Sequence, residues 1–209
     1  MILFGTQELN FYVGDIALYT LMAANNNNEK IKELLEFKQI KREIIIAENI
    51  LKLLECYINN SDSNQLFNFY NATRNNITLN PLSSMLINFI GNIYCELGTS
   101  YLNTFSNIGN TFKSQYRYLK YKYALISLAL KKNASEDENK IVRIILNTIL
   151  EDIETSIAEG CKKIFDDHTI NDKNKYAKGL IFIGNIFKKS EFNIDNSSKF
   201  LKKIINPKE

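Results

Sequence analysis

The chain has 209 residues, 45% of them apolar and 23% charged, with a formal net charge of +3 at neutral pH, which places it in the globular class and argues against a chain disordered throughout. Two prolines and eight glycines are too few for an all-β protein that must turn every ~10 residues. No apolar run reaches the roughly 18–20 residues of a membrane span, the longest being Tyr123 to Leu130 and Gly179 to Phe187.

In chain order, a first helix is expected from about Gln7 to Ala24, followed by a polar loop at the asparagine run Asn25 to Asn28. Spacings of three and four then alternate through Phe37, Ile40, Ile44, Ala47, Leu51, Leu54 and Ile58, drawing one apolar stripe on a helix that reaches about Asn59. Such heptads can form a coiled-coil seam between two copies or the inward face of a bundle, and the bundle is the preferred reading. Ser61-Asp62-Ser63 offers cap chemistry for a shorter helix with Leu66, Phe67 and Tyr70 on its apolar side, ending at Asn75-Asn76. Asn80-Pro81 is a start signal, a cap followed by the imino acid tolerated at the first helical position.

In the helix that follows, Gly91, Cys95 and Gly98 form a ridge of small side chains opposite Phe89, Ile93 and Leu97. Glycine inside a helix costs about 1 kcal/mol relative to alanine, so the expected reason for two of them is the close approach of another backbone. From Asn110 to Asn133 no acidic residue occurs, while Lys113, Arg117, Lys120, Lys122, Lys131 and Lys132 stand among Tyr116, Tyr118, Tyr121 and Tyr123. Ser135 with Glu138 makes a capping box for a long helix whose stripe is Val142, Leu146, Ile149, Ile153, Ile157, Gly160 and Ile164, ending near Asp166. A last amphipathic helix is expected from about Asp172 to Lys189, and Asp195 to Ser198 offers a cap for a short tail helix through Ile205. The fold class predicted is all-α, a bundle of six to eight helices in which the N-terminal helix packs back on the later ones, as a single domain over residues 1–209 with a short basic tail from 190 to 209.

Few residues invite a chemical role. Asp152 and Glu154 lie two apart on a helix, about 200° around its axis, so they cannot converge on one atom as a general acid and base. Each sits on a shoulder of the apolar stripe, where an anchoring carboxylate would accept bonds from Lys175, Lys178, a tyrosine or the start of a neighbouring helix. His168, the only histidine, lies in the polar turn Asp166 to Asp172 and is expected to face solvent; no nucleophile motif accompanies it. Cys56, Cys95 and Cys161 form no C-x-x-C unit, which fits a reducing intracellular compartment and argues against a zinc site. Cys161, beside Lys162 and Lys163, is expected at the edge of the buried stripe as an unreactive thiol. The cation-and-tyrosine segment is read as tyrosines packed between helices with cations facing water; phosphate and base binding, or an anionic lipid surface, is the alternative.

Two phrases in the chain carry a resemblance. Asp152-Ile153-Glu154, Cys161-Lys162-Lys163, Asp166-Asp167 and the run Leu180 to Phe187 resemble the closing half of the X domain of DnaJ-like co-chaperones. Phe4-Gly5 with Phe11-Tyr12-Val13-Gly14-Asp15-Ile16 is similar to the F-G…Y-I-G-E-L segment that opens such domains, so the likeness runs from Phe4 to about Lys189. The chain departs from the family at Gly179, where a bulkier or acidic residue is usual, and in its tetra-asparagine run.

The resemblance implies the accessory region of a J-domain co-chaperone, one that binds clients or a localising partner, or pairs with a second copy, and uses no cofactor and no metal. Gly14, Asp15, Asp152, Glu154, Cys161 and Gly184 would be its structural motif residues. The candidate partner surface is Lys113, Tyr116, Arg117, Tyr118, Lys120, Tyr121 and Lys122 within Phe112 to Tyr123. His168 is followed by Thr169 and the prolines are Pro81 and Pro207, so the His-Pro-Asp turn by which J domains stimulate the heat-shock 70 kDa ATPase is missing. On this reading a J domain would lie upstream of Met1 in a longer protein, and the ATPase would be reached only through it. Met1 to Phe4 has neither the basic region nor the apolar stretch of a secretion signal. The expected setting is cytoplasmic or otherwise reducing, with peripheral membrane association left open and nucleic acid disfavoured as a partner.

Overall fold

A computed structural model describes residues 7–14, 29–60, 62–77, 81–102 and 136–190. Among these residues there are six helices and no strand: α1 (Gln7–Val13), α2 (Glu29–Asn59), α3 (Ser63–Ile77), α4 (Pro81–Leu102), α5 (Glu136–Asp166) and α6 (Lys173–Phe187). The architecture is the all-α bundle that the periodicity predicts. No helix among the described residues is long and apolar enough to cross a membrane.

Local chemistry fixes the element ends. α1 stops at Val13, short of the expected Ala24, because Gly14 takes φ +63° and turns the chain while its N–H donates to the Asn10 carbonyl at 2.8 Å. Asp62 opens α3, its carboxylate accepting the N–H groups of Asn64 and Gln65 at 2.8 and 3.2 Å. On α3 Leu66, Tyr70 and Ile77 turn inward, whereas Phe67 stays exposed, contrary to its place on the expected apolar side. Tyr70 is buried and donates its hydroxyl to the Leu53 carbonyl, which ties α3 to α2. Asp172 caps α6 by accepting the Lys175 N–H at 3.0 Å. The capping box at Ser135 and the tail helix at Asp195 lie outside the described residues.

The centre of the bundle is α4 running antiparallel to α6, with Gly91 beside Gly184 and Gly98 beside Ala177. A Cβ on Gly91 would stand 2.8 Å from the Gly184 carbonyl oxygen, one on Gly98 2.6 Å from that of Ala177, and one on Gly184 2.6 Å from that of Gly91. The small ridge of α4 therefore does the work its spacing predicts, and Gly184 supplies the matching gap on α6. Gly179 serves the next contact, since a Cβ there would meet Leu54 at 2.7 Å and the Tyr57 ring at 2.9 Å. That contact gives the absence of a side chain at this position a local reason. α2 lies alongside α5 in the same direction, as the pairs Gln39–Ser156 and Glu43–Lys163 show. α1 packs back on both, with Tyr12 edge-on to Phe187 of α6 at 5.6 Å between centroids.

The stripe expected on α5 is buried from Ile149 through Ile153, Ile157, Gly160 and Ile164. The stripe expected on α2 is not. Phe37, Ile40 and Ile44 are 65%, 52% and 46% exposed, and the buried face instead runs through Leu35, Arg42, Glu43, Ile46, Ile50, Leu53 and Leu54. α2 has two apolar faces, and the one that turns inward is the one whose two charges find partners on α5. Desolvating Arg42 and Glu43 is tolerable only because each is paired there.

Candidate functional site

Two features of α2 stand out: a buried polar ladder on one face and a row of exposed apolar side chains on the other. The ladder centres on Arg42. Its Nε donates to the Val13 carbonyl at 2.8 Å, and its Nη1 donates to both carboxylate oxygens of Asp152 at 2.8 and 2.9 Å. The two side chains are 5% and 8% exposed. Gly14 makes room for the guanidinium stem, because a Cβ at that position would lie 2.8 Å from Arg42 Cγ. Further along, Gln39 donates to Ser156 and to Glu43, and Lys163 donates to Glu43 at 2.9 Å.

Of the motif residues named from the sequence, the structure brings Gly14 and Asp152 together on Arg42, so the opening phrase and the D-I-E phrase meet at one side chain. Asp152 does anchor, but not through Lys175 or Lys178: Lys175 donates to the Ile58 carbonyl, and Lys178 is exposed. Both lysines sit on α6, away from the α2–α5 seam that Asp152 faces. Burial pushes the Asp152 carboxyl up, and Arg42 pulls it back only in part, so its pKa stays raised. The ion pair thus offsets desolvation without a large gain, as buried pairs commonly do.

Glu154 is half-buried on the other shoulder of α5. Gly184 holds the α4–α6 crossing. Cys161 lies at the centre of the core, not at the edge of the stripe, with 0% exposure. Burial pushes its thiol up to about 12, and that of half-buried Cys95 to about 11. A thiol reagent at neutral pH is expected to leave Cys161 unmodified in the native chain and to label it fully after denaturation, which mass spectrometry of digested protein checks. His168 is exposed in the turn between α5 and α6, as its setting predicts. Asp15 and the candidate surface Lys113, Tyr116, Arg117, Tyr118, Lys120, Tyr121 and Lys122 lie outside the described residues.

Sequence reasoning missed Arg42, Glu43, Gln39 and Ser156. The signal was present: Leu35, Gln39, Arg42, Ile46, Ile50 and Leu53 also follow spacings of three and four, with polar residues at two positions. Counting apolar residues alone favoured the competing face.

That competing face carries Leu34, Phe37, Ile40, Ile44 and Ile45, between 41% and 65% exposed. Single exposed apolar residues are ordinary, but five on three turns of one helix make a patch of the kind used for protein contact. Among the described residues no His, Cys, Asp and Glu side chains gather into a group that could hold a metal ion. No family model matches the chain, and no curated protein and no solved structure matches it.

Proposed function

We propose that the chain is a non-catalytic accessory region of a DnaJ-like co-chaperone, one that engages other polypeptides while a J domain elsewhere recruits the ATPase. Its partners are non-native client proteins, a localising protein or a second copy, and it works without cofactor or metal. The observation that carries the reading is the apolar row on α2, a binding surface beside a face fully committed to holding the bundle. The resemblance of the opening and closing phrases supports it, and so does their meeting at Arg42, which gives both phrases one structural task. Asp152 is spent on that ion pair and Cys161 on the core, so neither is set up for covalent chemistry.

The test is suppression of aggregation of a chemically denatured test protein. The expected result is suppression at stoichiometric chain that persists with little change from low to high salt, since apolar burial is not screened. Absence of suppression, together with RNA or anionic-liposome binding that falls steeply with salt, would instead favour a basic helical module built on the segment from Asn110 to Asn133.

A further inference from the structure

We propose that the exposed row of α2 is the seam of a parallel homodimer, so that the partner it takes is a second copy of this chain. The inference deepens the reading above, from which it takes only that this face is used for binding. Phe37, Ile40 and Ile44 fall at successive a, d and a positions of a heptad, and all three are exposed. Leu34, at the flanking e position, is 51% exposed and widens the row on one side. Two such faces related by a two-fold axis are self-complementary, each copy covering the row of the other, and a denatured client competes for the same row when the pair dissociates.

Charge decides the orientation and favours this occupant over an unrelated one. Glu36 occupies the g position before Phe37 and Lys41 the e position after Ile40, and both are exposed. In a parallel pair the g side chain of one helix meets the e side chain of the next heptad on the other, so Glu36 faces Lys41 of the second copy twice over. An antiparallel pair centred on Ile40 would set Lys41 near Lys41 and Glu36 near Glu43 of the second copy, which is repulsive. The next d position is Ala47, buried in its own bundle, and the e position after it is Glu48, which would sit near the already paired Glu43. The a and d positions before Phe37 are the exposed charges Lys30 and Glu33, so the two helices part on both sides and the seam is confined to Phe37 through Ile44.

Light scattering coupled to size exclusion, on the whole chain, is expected to give twice the 24.2 kDa chain mass, falling to one chain mass for Phe37→Glu with unchanged helix content by circular dichroism. Glu36→Lys and Lys41→Glu should each weaken association several-fold, and the double swap should restore it, which a mere surface-charge effect would not do. Ile40→Cys should give a covalent dimer under mild oxidation, because in-register d positions face each other across the axis. A chain that is monomeric at all concentrations overturns the pairing, as does a dimer that survives Phe37→Glu or does not cross-link at Ile40→Cys. A monomer that still suppresses aggregation would sink this inference alone, whereas a dimer without suppression would keep it and sink the holding reading.

Discussion

Replacing Arg42 with methionine is expected to lower the stability of the bundle by about 3–5 kcal/mol, the usual cost of removing one partner from a buried ion pair. The substitution leaves the Asp152 carboxylate desolvated at 8% exposure and removes the donor to the Val13 carbonyl, so two buried acceptors lose their partner at once. For a chain of this size the melting temperature should fall by roughly 6–20 °C. The double variant Arg42→Met with Asp152→Leu separates the two terms, because it removes the charge that the single variant strands. It should recover most of the loss, since apolar replacement of a buried pair is often neutral or better. Thermal unfolding followed by circular dichroism for the two variants and the parent measures this. Equal instability of single and double variants would mean that the guanidinium acts through packing and not by neutralising Asp152.

Substitution of the glycines at the helix crossing should produce a second large effect, opposite in sign to helix propensity. Gly184→Ala would gain up to about 1 kcal/mol if propensity alone governed. Its Cβ, however, would stand 2.6 Å from the Gly91 carbonyl oxygen and 2.9 Å from the Cys95 N, and backbone atoms of a packed helix cannot yield separately. Overpacking of this kind typically costs about 1–3 kcal/mol, occasionally more, and here should exceed the gain. Gly184→Val and Gly91→Val should prevent α4 and α6 from docking at all. Gly160→Ala is the internal control, because its nearest neighbours are 3.0 to 3.4 Å away on α2 and the propensity gain should offset the crowding. Gly179→Ala falls between, since it meets the end of the Leu54 side chain and the Tyr57 ring, not backbone. Denaturant midpoints across these variants should therefore rank with the atom met, not with the propensity scale.

Much of the fold was legible because its signals are local. Apolar periodicity marked α5 from Ile149 to Ile164, Asp62 and Asp172 marked the starts of α3 and α6, and Gly91 with Gly98 marked a close crossing. The partner of that crossing could not be read, since the matching Gly184 lies far away in the chain and only the folded bundle joins them. α1 was overextended because Gly14 carries the turn through its positive φ, which leaves no periodic trace. The error on α2 is the instructive one. The face with more apolar residues is the one a residue count turns inward, yet Arg42 and Glu43 go inside because Asp152 and Lys163 meet them there. Pairing across elements outweighed the apolar count, and no single-helix pattern contains that information.

The most direct measurement compares Phe37→Glu with the parent chain in aggregation suppression, at matched stability. Phe37 is 65% exposed on its own chain, so the substitution should leave the helix content unchanged while it places a charge in the middle of the binding row. The account predicts that the variant remains folded and loses most of its capacity to hold denatured protein. A folded variant that suppresses aggregation as well as the parent would contradict the assignment of this face to binding.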